Sequence, residues 1–110
     1  MTEVKAVAMA ILREGLNDWV PIDTLIWYAK DATREFPEAF KELTVKVLEY
    51  LLAEELIAVG DIGDSGFEAW HISSEQVIQR VTAACDAVNW QPLLGLFWLS
   101  NTEKGDECVK

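Results

Sequence analysis

Residues 43–70 constrain the fold more than any other part of the chain, because the spacing of their apolar residues changes part-way along. In the first half, apolar side chains recur at helical spacing, at Leu43, Val47, Leu48, Leu51 and Leu52. This spacing predicts an amphipathic helix. From residue 56 the pattern becomes extended, Gly60 and Gly63 mark a turn region, and residues 66–70 alternate apolar and polar side chains. The stretch therefore predicts a long helix that leads directly into a two-stranded hairpin.

Helical periodicity also occurs elsewhere in the chain. It predicts helices over about residues 3–14, 24–33, 38–55 and 74–88. Thr2 and Asp23 are expected to cap the first two helices, and Ser73 with Gln76 resembles a capping box for the fourth. Gly15 is expected to end the first helix at a position that favours a left-handed residue.

The segments between these helices complete the predicted architecture. Residues 19–22 are expected to be extended, because Pro21 disfavours helix in the residue before it. Residues 93–95 are expected to form a loop, and residues 96–99 a buried strand. Thr102 is expected to cap a short helical turn at the C-terminus. The 110 residues are long enough for one modest core, so we predict a single domain spanning 1–110.

The charge of the chain is strongly negative and unevenly distributed. Formal net charge is −10, from 19 acidic and 9 basic residues. Between Val47 and Gln79 there is no Lys or Arg, whereas that segment contains Glu49, Glu54, Glu55, Asp61, Asp64, Glu68 and Glu75. Such a surface repels nucleic acid and attracts basic proteins. The alternative interpretation is that the acidity serves solubility and that the hairpin tip is only solvated.

The predicted helix over 38–55 is poorly equipped to read DNA. A recognition helix needs Arg, Lys, Asn or Gln to contact base edges and phosphates. This helix offers Lys41 and Lys46 among a larger number of carboxylates, and no Arg or Asn. Nucleic acid is therefore not the expected partner.

The sequence contains no arrangement that predicts catalysis. His71 is the only histidine, and Cys85 and Cys108 are too far apart in sequence to suggest a zinc site. Asp61 and Asp64 lack the regular ligand spacing and closing Glu of a calcium loop. We expect no catalytic residue, metal or cofactor, and hence a protein that is not an enzyme.

The sequence also bears on location and on exposed aromatic residues. We find neither a signal peptide nor an apolar run long enough to cross a bilayer, so we expect a cytoplasmic protein with reduced cysteines and no membrane partner. Trp27 and Tyr28 occupy successive helical positions and cannot face the same way. The tryptophans are expected to belong mainly to the core, because large aromatics supply much of a small domain's buried area. Trp27 and Trp90, the latter in a predicted loop, are the two interface candidates.

Three of these features together resemble the winged-helix superfamily. They are the helix–turn–helix triplet at the start, the passage from helix into hairpin at residues 47–57 (VLEYLLAEELI), and the ending at residues 98–105 (WLSNTEKG). The resemblance implies an α+β, mostly helical fold, winged helix-turn-helix-like, with a small antiparallel sheet. Residues 71–95 depart from the pattern by inserting an extra helix after the wing hairpin.

A narrower resemblance concerns function. Residues 60–70 (GDIGDSGFEAW), followed by a helix and the FWL strand at residues 97–99, look like a group of small bacterial proteins. Some acidic proteins of this size are immunity proteins or antitoxins that neutralise basic toxins, often nucleases. The implied function is a non-enzymatic protein-binding module that inhibits such a toxin. The expected partner-binding residues are Glu54, Glu55, Asp61, Asp64, Glu68 and Trp27.

A DNA-binding transcriptional regulator of the winged-helix type is the alternative. Its phosphate contacts would have to be Lys30, Arg34, Lys41 and Lys46. The sequence leaves the partner's identity and the oligomeric state open.

Overall fold

The structure is a computed structural model that describes residues 2–91 and 96–110, without the side chain of Thr2. The loop predicted at Leu93, Leu94 and Gly95 and the cap predicted at Thr2 lie outside this description. No helix within the described residues combines the length and the apolar character needed to span a bilayer.

The described residues form five α-helices and four strands, which is an α+β fold as predicted. In chain order they are α1 (Thr2–Gly15), β1 (Val20–Pro21), α2 (Ile22–Ala32), a 3₁₀ turn (Pro37–Ala39), α3 (Phe40–Ala53), β2 (Ile57–Gly63), β3 (Gly66–Ala69), α4 (Ser74–Ala87), β4 (Trp98–Asn101) and α5 (Glu103–Val109). The predicted hairpin and the helix that follows it are both present. The winged-helix assignment itself stays a prediction.

The four strands form one antiparallel sheet in the order β1-β4-β2-β3. Leu99 of β4 is opposite Val20 on one side and Val59 on the other, so the last strand lies between the first strand and the hairpin. This strand begins two residues later than predicted. The Phe97 carbonyl instead accepts a hydrogen bond (3.1 Å) from the backbone N–H of Ile22, at the start of α2.

The hydrophobic core lies where α1, α2 and α3 pack together and against the inner face of the sheet. Its largest fully buried side chains are Ile11, Leu12, Ile22, Leu25, Leu48, Leu51, Leu56 and Leu99. The predicted stripe of α3 is buried except for Leu52, which is half-buried at the edge of the core. Burial of this apolar surface is the main force that holds the helices on the sheet.

The predicted helix starts are confirmed at two places. Ser73 and Gln76 form a capping box at α4: the Gln76 N–H donates to Ser73 Oγ (3.1 Å) and the Ser73 N–H to Gln76 Oε1 (3.0 Å). At α5, Thr102 Oγ1 accepts the Gly105 N–H at 3.0 Å. Each cap supplies an acceptor for a first-turn N–H that no helical carbonyl can reach.

Two predictions about helix ends are wrong. Asp23 is not the cap of α2, because the helix begins one residue earlier, at Ile22, directly after the extended residue Pro21. Gly15 is the last residue of α1 and is not left-handed. A β-carbon at Gly15 would collide with the side chain of Asn101. Glycine is therefore needed for close packing there, not for an unusual backbone angle.

The two cysteines differ sharply in environment. Cys85 is fully buried, and burial, followed by the charges of Asp86 and Asp23, raises the pKa of its thiol to about 11. Cys108 is exposed. Because the thiolate is the reactive form, we expect the native protein at about pH 8 to react with Ellman's reagent only at Cys108.

The measurement is the number of thiols titrated before and after unfolding. Cys108→Ser should abolish the native reaction and leave the Cys85 thiol reactive in denaturant. Rapid reaction of two thiols in the native wild-type protein would contradict the burial of Cys85.

Candidate functional site

Three of the predicted partner-binding residues lie on the β2–β3 hairpin. Asp61 of β2 is directly opposite Glu68 of β3, and Asp64 is in the turn that joins the strands. Asp64 and Glu68 are exposed, and Asp61 is half-buried. We call these three residues the hairpin carboxylates.

Asp61 is held in place by an aromatic side chain. The indole N–H of Trp70 donates to Asp61 Oδ2 at 2.8 Å. The ring of Trp70 packs edge-on against Phe97, with centroids 5.6 Å apart, and the Arg80 guanidinium lies 3.9 Å from the Trp70 centroid. This cluster fixes the base of the hairpin and positions the Asp61 carboxylate.

Two glycines allow Glu68 and its strand to lie very close to β2. A β-carbon at Gly60 would collide with the backbone carbonyl of Glu68, and one at Gly63 would collide with the Glu68 carboxylate. The Glu68 side chain therefore lies over Gly63, next to the turn that carries Asp64. The local fold brings these two carboxylates towards the same end of the hairpin.

The opposition of Asp61 and Glu68 has an energetic cost. Like charges directly opposite each other on neighbouring strands are destabilising, because their β-carbons are only about 5 Å apart. The hydrogen bond from Trp70 offsets part of this cost at Asp61. The opposed Asp61 and Glu68 side chains therefore do not themselves stabilise the hairpin.

An apolar surface lies on the face of the hairpin opposite Asp61 and Glu68, because side chains alternate along a strand and Ile62 pairs with Phe67. Trp19, in the loop before β1, approaches the hairpin turn, and its ring centroid is 6.3 Å from that of Phe67. Its indole also faces Gly66, which has φ +110° and therefore favours glycine. Trp19 and Ile62 are each 40% exposed, so apolar side chains are accessible on that face.

Glu54 and Glu55 lie at the other end of β2. A strand of seven residues, as β2 is, separates its ends by about 20 Å. We call Glu54 and Glu55 the turn carboxylates. The structure therefore divides the predicted acidic surface into two groups, one at the end of α3 and one on the hairpin.

The backbone of Glu55 is in an unfavourable conformation. Its φ is 58°, in the left-handed region where glycine is usual at the end of a helix. The Leu56 N–H donates to the Leu51 carbonyl (2.8 Å) and the Glu55 N–H to the Leu52 carbonyl (3.0 Å), which together form a Schellman motif. This motif ends α3 two residues before the predicted boundary.

Trp27 lies on α2, apart from both groups of carboxylates. It is 61% exposed, and an interface residue must be exposed in the free protein. Its ring still contacts that of Tyr28, with centroids 5.1 Å apart and planes at 84°, so the two side chains diverge less than their successive positions suggested.

Trp90 is buried, as expected of a core tryptophan, and is therefore not an interface candidate. Its indole N–H donates to Asp86 Oδ1 at 2.7 Å, and its ring packs edge-on against Phe40 with centroids 5.6 Å apart. The turn after α4, with positive φ at Asn89 and Trp90, folds the ring back onto the helices.

The four cations that DNA binding would need all have partners within the chain. Two of them lie over aromatic rings: Lys30 Nζ is 4.9 Å from the Phe40 centroid, and Lys41 Nζ is 5.9 Å from the Trp90 centroid.

The other two cations form ion pairs with carboxylates one helical turn away in the chain. Arg34 contacts Asp31 at 3.3 Å and Lys46 contacts Glu42 at 3.0 Å. Local partners of this kind reduce the positive potential that the helices α2 and α3 present.

Sequence reasoning missed a recess near the start of α3 that is lined by both apolar and charged residues. Its volume is about 290 Å³, and its lining includes Val4, Phe36, Leu43, Glu42 and Lys46. Phe36 is 68% exposed there. In the sequence, only the position of Phe36 directly before Pro37 indicated this feature, because the residue before a proline is biased away from helix.

Comparisons with known proteins give no assignment. No protein-family model matches the sequence, and no curated protein and no solved structure matches it. Within residues 2–91 and 96–110, no group of three or more His, Cys, Asp or Glu side chains could hold a metal ion. The local geometry of the carboxylates and aromatic residues therefore carries the functional argument.

Replacing Glu68 by Gln should stabilise the protein. The change removes the repulsion across the strands from Asp61, and we expect a gain of about 0.2–1 kcal/mol in the free energy of unfolding. Urea unfolding measures this gain. Glu35→Gln, the same change at an exposed site outside the hairpin, should have little effect. Equal gains in both variants would mean that net charge, and not the cross-strand pair, is responsible.

Replacing Glu55 by Gly should also stabilise the protein, by about 1 kcal/mol, because glycine adopts the left-handed conformation without steric strain. Glu55→Ala removes the same charge but keeps a β-carbon, so it should give little of this gain. Chemical unfolding of both variants separates strain from charge. A gain in the alanine variant equal to that of the glycine variant would contradict the strain argument.

Proposed function

We propose that this protein is a non-enzymatic binding module that takes a basic protein partner on its hairpin. The observation that carries the proposal is the separation of charge. The hairpin carboxylates lie in a segment, between Val47 and Gln79, that contains no Lys or Arg. Arg80, which follows this segment, lies over the Trp70 ring at the base of the hairpin. The cations of α2 and α3, by contrast, are engaged by aromatic rings and carboxylates of their own helices and neighbours.

The repulsion between Asp61 and Glu68 supports the same conclusion. A cationic side chain placed between two opposed carboxylates removes their mutual repulsion and gains two attractive interactions. Binding would thus stabilise the hairpin as well as the complex. A partner that wraps round the hairpin turn would also reach the exposed apolar side chains of Trp19 and Ile62 on the opposite face. These would supply contact area that charge alone does not, because interface energy is concentrated in buried apolar and aromatic side chains.

The partner class that fits best is a basic toxin, for example a nuclease, and the protein would then act as its immunity protein or antitoxin. The resemblance described above supports this choice. The proposed mechanism is occlusion: carboxylates occupy positions at which the toxin normally holds phosphates. Long-range attraction between opposite charges would give rapid association that weakens as salt is added.

The turn carboxylates and Trp27 have secondary roles in this proposal. Glu55 keeps a charged side chain where glycine would be less strained, and strain retained at an exposed position is a reason to suspect a functional contact. The proposed site of action is the cytoplasm, where free thiols such as those of Cys85 and Cys108 persist.

The proposal predicts that the hairpin carboxylates control the rate of partner association. The partner is first captured from lysate of the native host with the wild-type protein as bait. The triple variant Asp61→Asn, Asp64→Asn, Glu68→Gln should then associate at least about tenfold more slowly at low salt, measured by stopped-flow fluorescence.

The matched control removes the same three charges at exposed positions outside the hairpin, by Glu35→Gln, Glu38→Gln and Glu107→Gln. Its association rate should stay within about threefold of the wild type, since steering depends on where the charge is placed. Equal slowing in the two triple variants would overturn the proposed site. Capture of DNA fragments in place of a basic protein would favour the transcriptional regulator.

A further inference from the structure

A second acidic and aromatic site lies where the end of α1 meets the first half of α2. The structure has there an open recess of about 530 Å³ lined by Glu14, Asp23, Thr24, Trp27 and Tyr28. Of the described residues that line it, two are acidic and none is basic. It thus combines negative charge with two aromatic rings.

The aromatic walls suit a cation. Trp27 and Tyr28 meet at 84° with centroids 5.1 Å apart, so a group in the recess can contact the face of one ring and the edge of the other. A guanidinium or ammonium over a tryptophan face is attracted by the ring's negative quadrupole. Trp27 is the most exposed of the five tryptophans, and its indole is accessible to such a group.

The carboxylate of Glu14 is held at the same recess. Glu14 Oε2 accepts the Tyr28 hydroxyl at 2.9 Å. This hydrogen bond raises the pKa of Tyr28, whereas the charge of nearby Arg13 lowers it. Tyr28 therefore stays a neutral donor at physiological pH. A carboxylate has about four acceptor positions, so one hydrogen bond leaves capacity for a cationic donor.

The rest of the protein shows how this chain uses cations and aromatic rings. Among the described residues, the rings of Phe40, Trp70 and Trp90 each have a cation of the same chain over them. Trp27 is not among these rings, although it is beside two carboxylates. Lys30 lines a separate recess with Trp27, but its ammonium lies over the ring of Phe40. The recess thus resembles these internal pairs with the cation left to be supplied by another molecule.

We infer that the recess binds one arginine side chain of the basic partner, stacked on Trp27 and hydrogen-bonded to Glu14. Arginine is favoured over lysine because its planar guanidinium can stack on an indole and donate two parallel hydrogen bonds to a carboxylate. This inference rests on the proposed function and adds a second contact to it. The side chain of Trp27 acts as the anchor and Glu14 as the charge partner.

The loop that follows Glu14 leads along the chain from this recess towards the hairpin. Gly15, the next residue, lines a second recess together with Asp18 and Trp19. Trp19 in turn contacts Phe67 of β3. A partner that covers the hairpin tip and Trp19 can therefore extend an arginine towards Trp27.

The test uses Nα-acetyl-arginine amide as the probe, and Nα-acetyl-citrulline amide as its neutral analogue of similar shape. Heteronuclear NMR spectra of the indole N–H groups follow each titration on the full-length protein. We expect the Trp27 signal to shift and saturate with the arginine probe at a concentration on the order of millimolar. The citrulline analogue should cause little shift.

Variants separate this site from the hairpin. Glu14→Gln keeps an acceptor for Tyr28 but removes the charge, and it should weaken probe binding at least about fivefold. Glu35→Gln is the matched control and should not change binding. The triple hairpin variant Asp61→Asn, Asp64→Asn, Glu68→Gln should also bind the probe normally.

The outcomes distinguish the two proposals. Equal shifts with citrulline, or full binding to Glu14→Gln, would overturn the arginine site while leaving the hairpin proposal intact. Probe binding that depends on Glu14, together with partner association that does not depend on the hairpin carboxylates, would overturn the hairpin site alone.

Discussion

A small set of hydrogen bonds at the end of α3 determines the direction of the hairpin, and with it most of the functional surface. The Leu56 and Glu55 N–H groups close the helix by donating to the carbonyls of Leu51 and Leu52. Thr102 then joins this turn to the C-terminus: its N–H donates to the Leu56 carbonyl (3.0 Å) and its hydroxyl to the Glu55 carbonyl (2.7 Å). These bonds satisfy carbonyls that the helix cannot pair, and they hold Glu55 in its left-handed conformation.

The same junction explains the tight association of α5 with the rest of the fold. A β-carbon at Gly105 would collide with the Leu56 carbonyl, so the short helix can approach the turn only with glycine at this position. The sheet follows from the junction as well. With β2 directed by the turn, β4 pairs with it along residues 57–60 and brings β1 into the sheet on its other side.

The cationic and anionic side chains of this protein differ in the partners that they have within the chain. Cations on α2, α3 and α4 are placed over aromatic rings or beside carboxylates one turn away. The hairpin carboxylates have few such partners, apart from the indole of Trp70 at Asp61. The recess at Trp27 provides the aromatic ring of such a cation–aromatic pair, together with two carboxylates. We therefore propose a cationic partner for both surfaces, held by charge on the hairpin and by charge and stacking together at Trp27.

Local interactions in the sequence were sufficient to predict much of this protein. Apolar periodicity located the helices and the hairpin, and the Ser73 and Thr102 caps were recognised because a cap depends on residues within one helical turn. Tertiary structure alone decided the strand order, the burial of Trp90 and the separation of Glu54 and Glu55 from the hairpin carboxylates. It also created the recess, because Glu14 and Tyr28 meet only when two helices pack. Such contacts join residues distant in the chain, and no local pattern records which distant residues will meet.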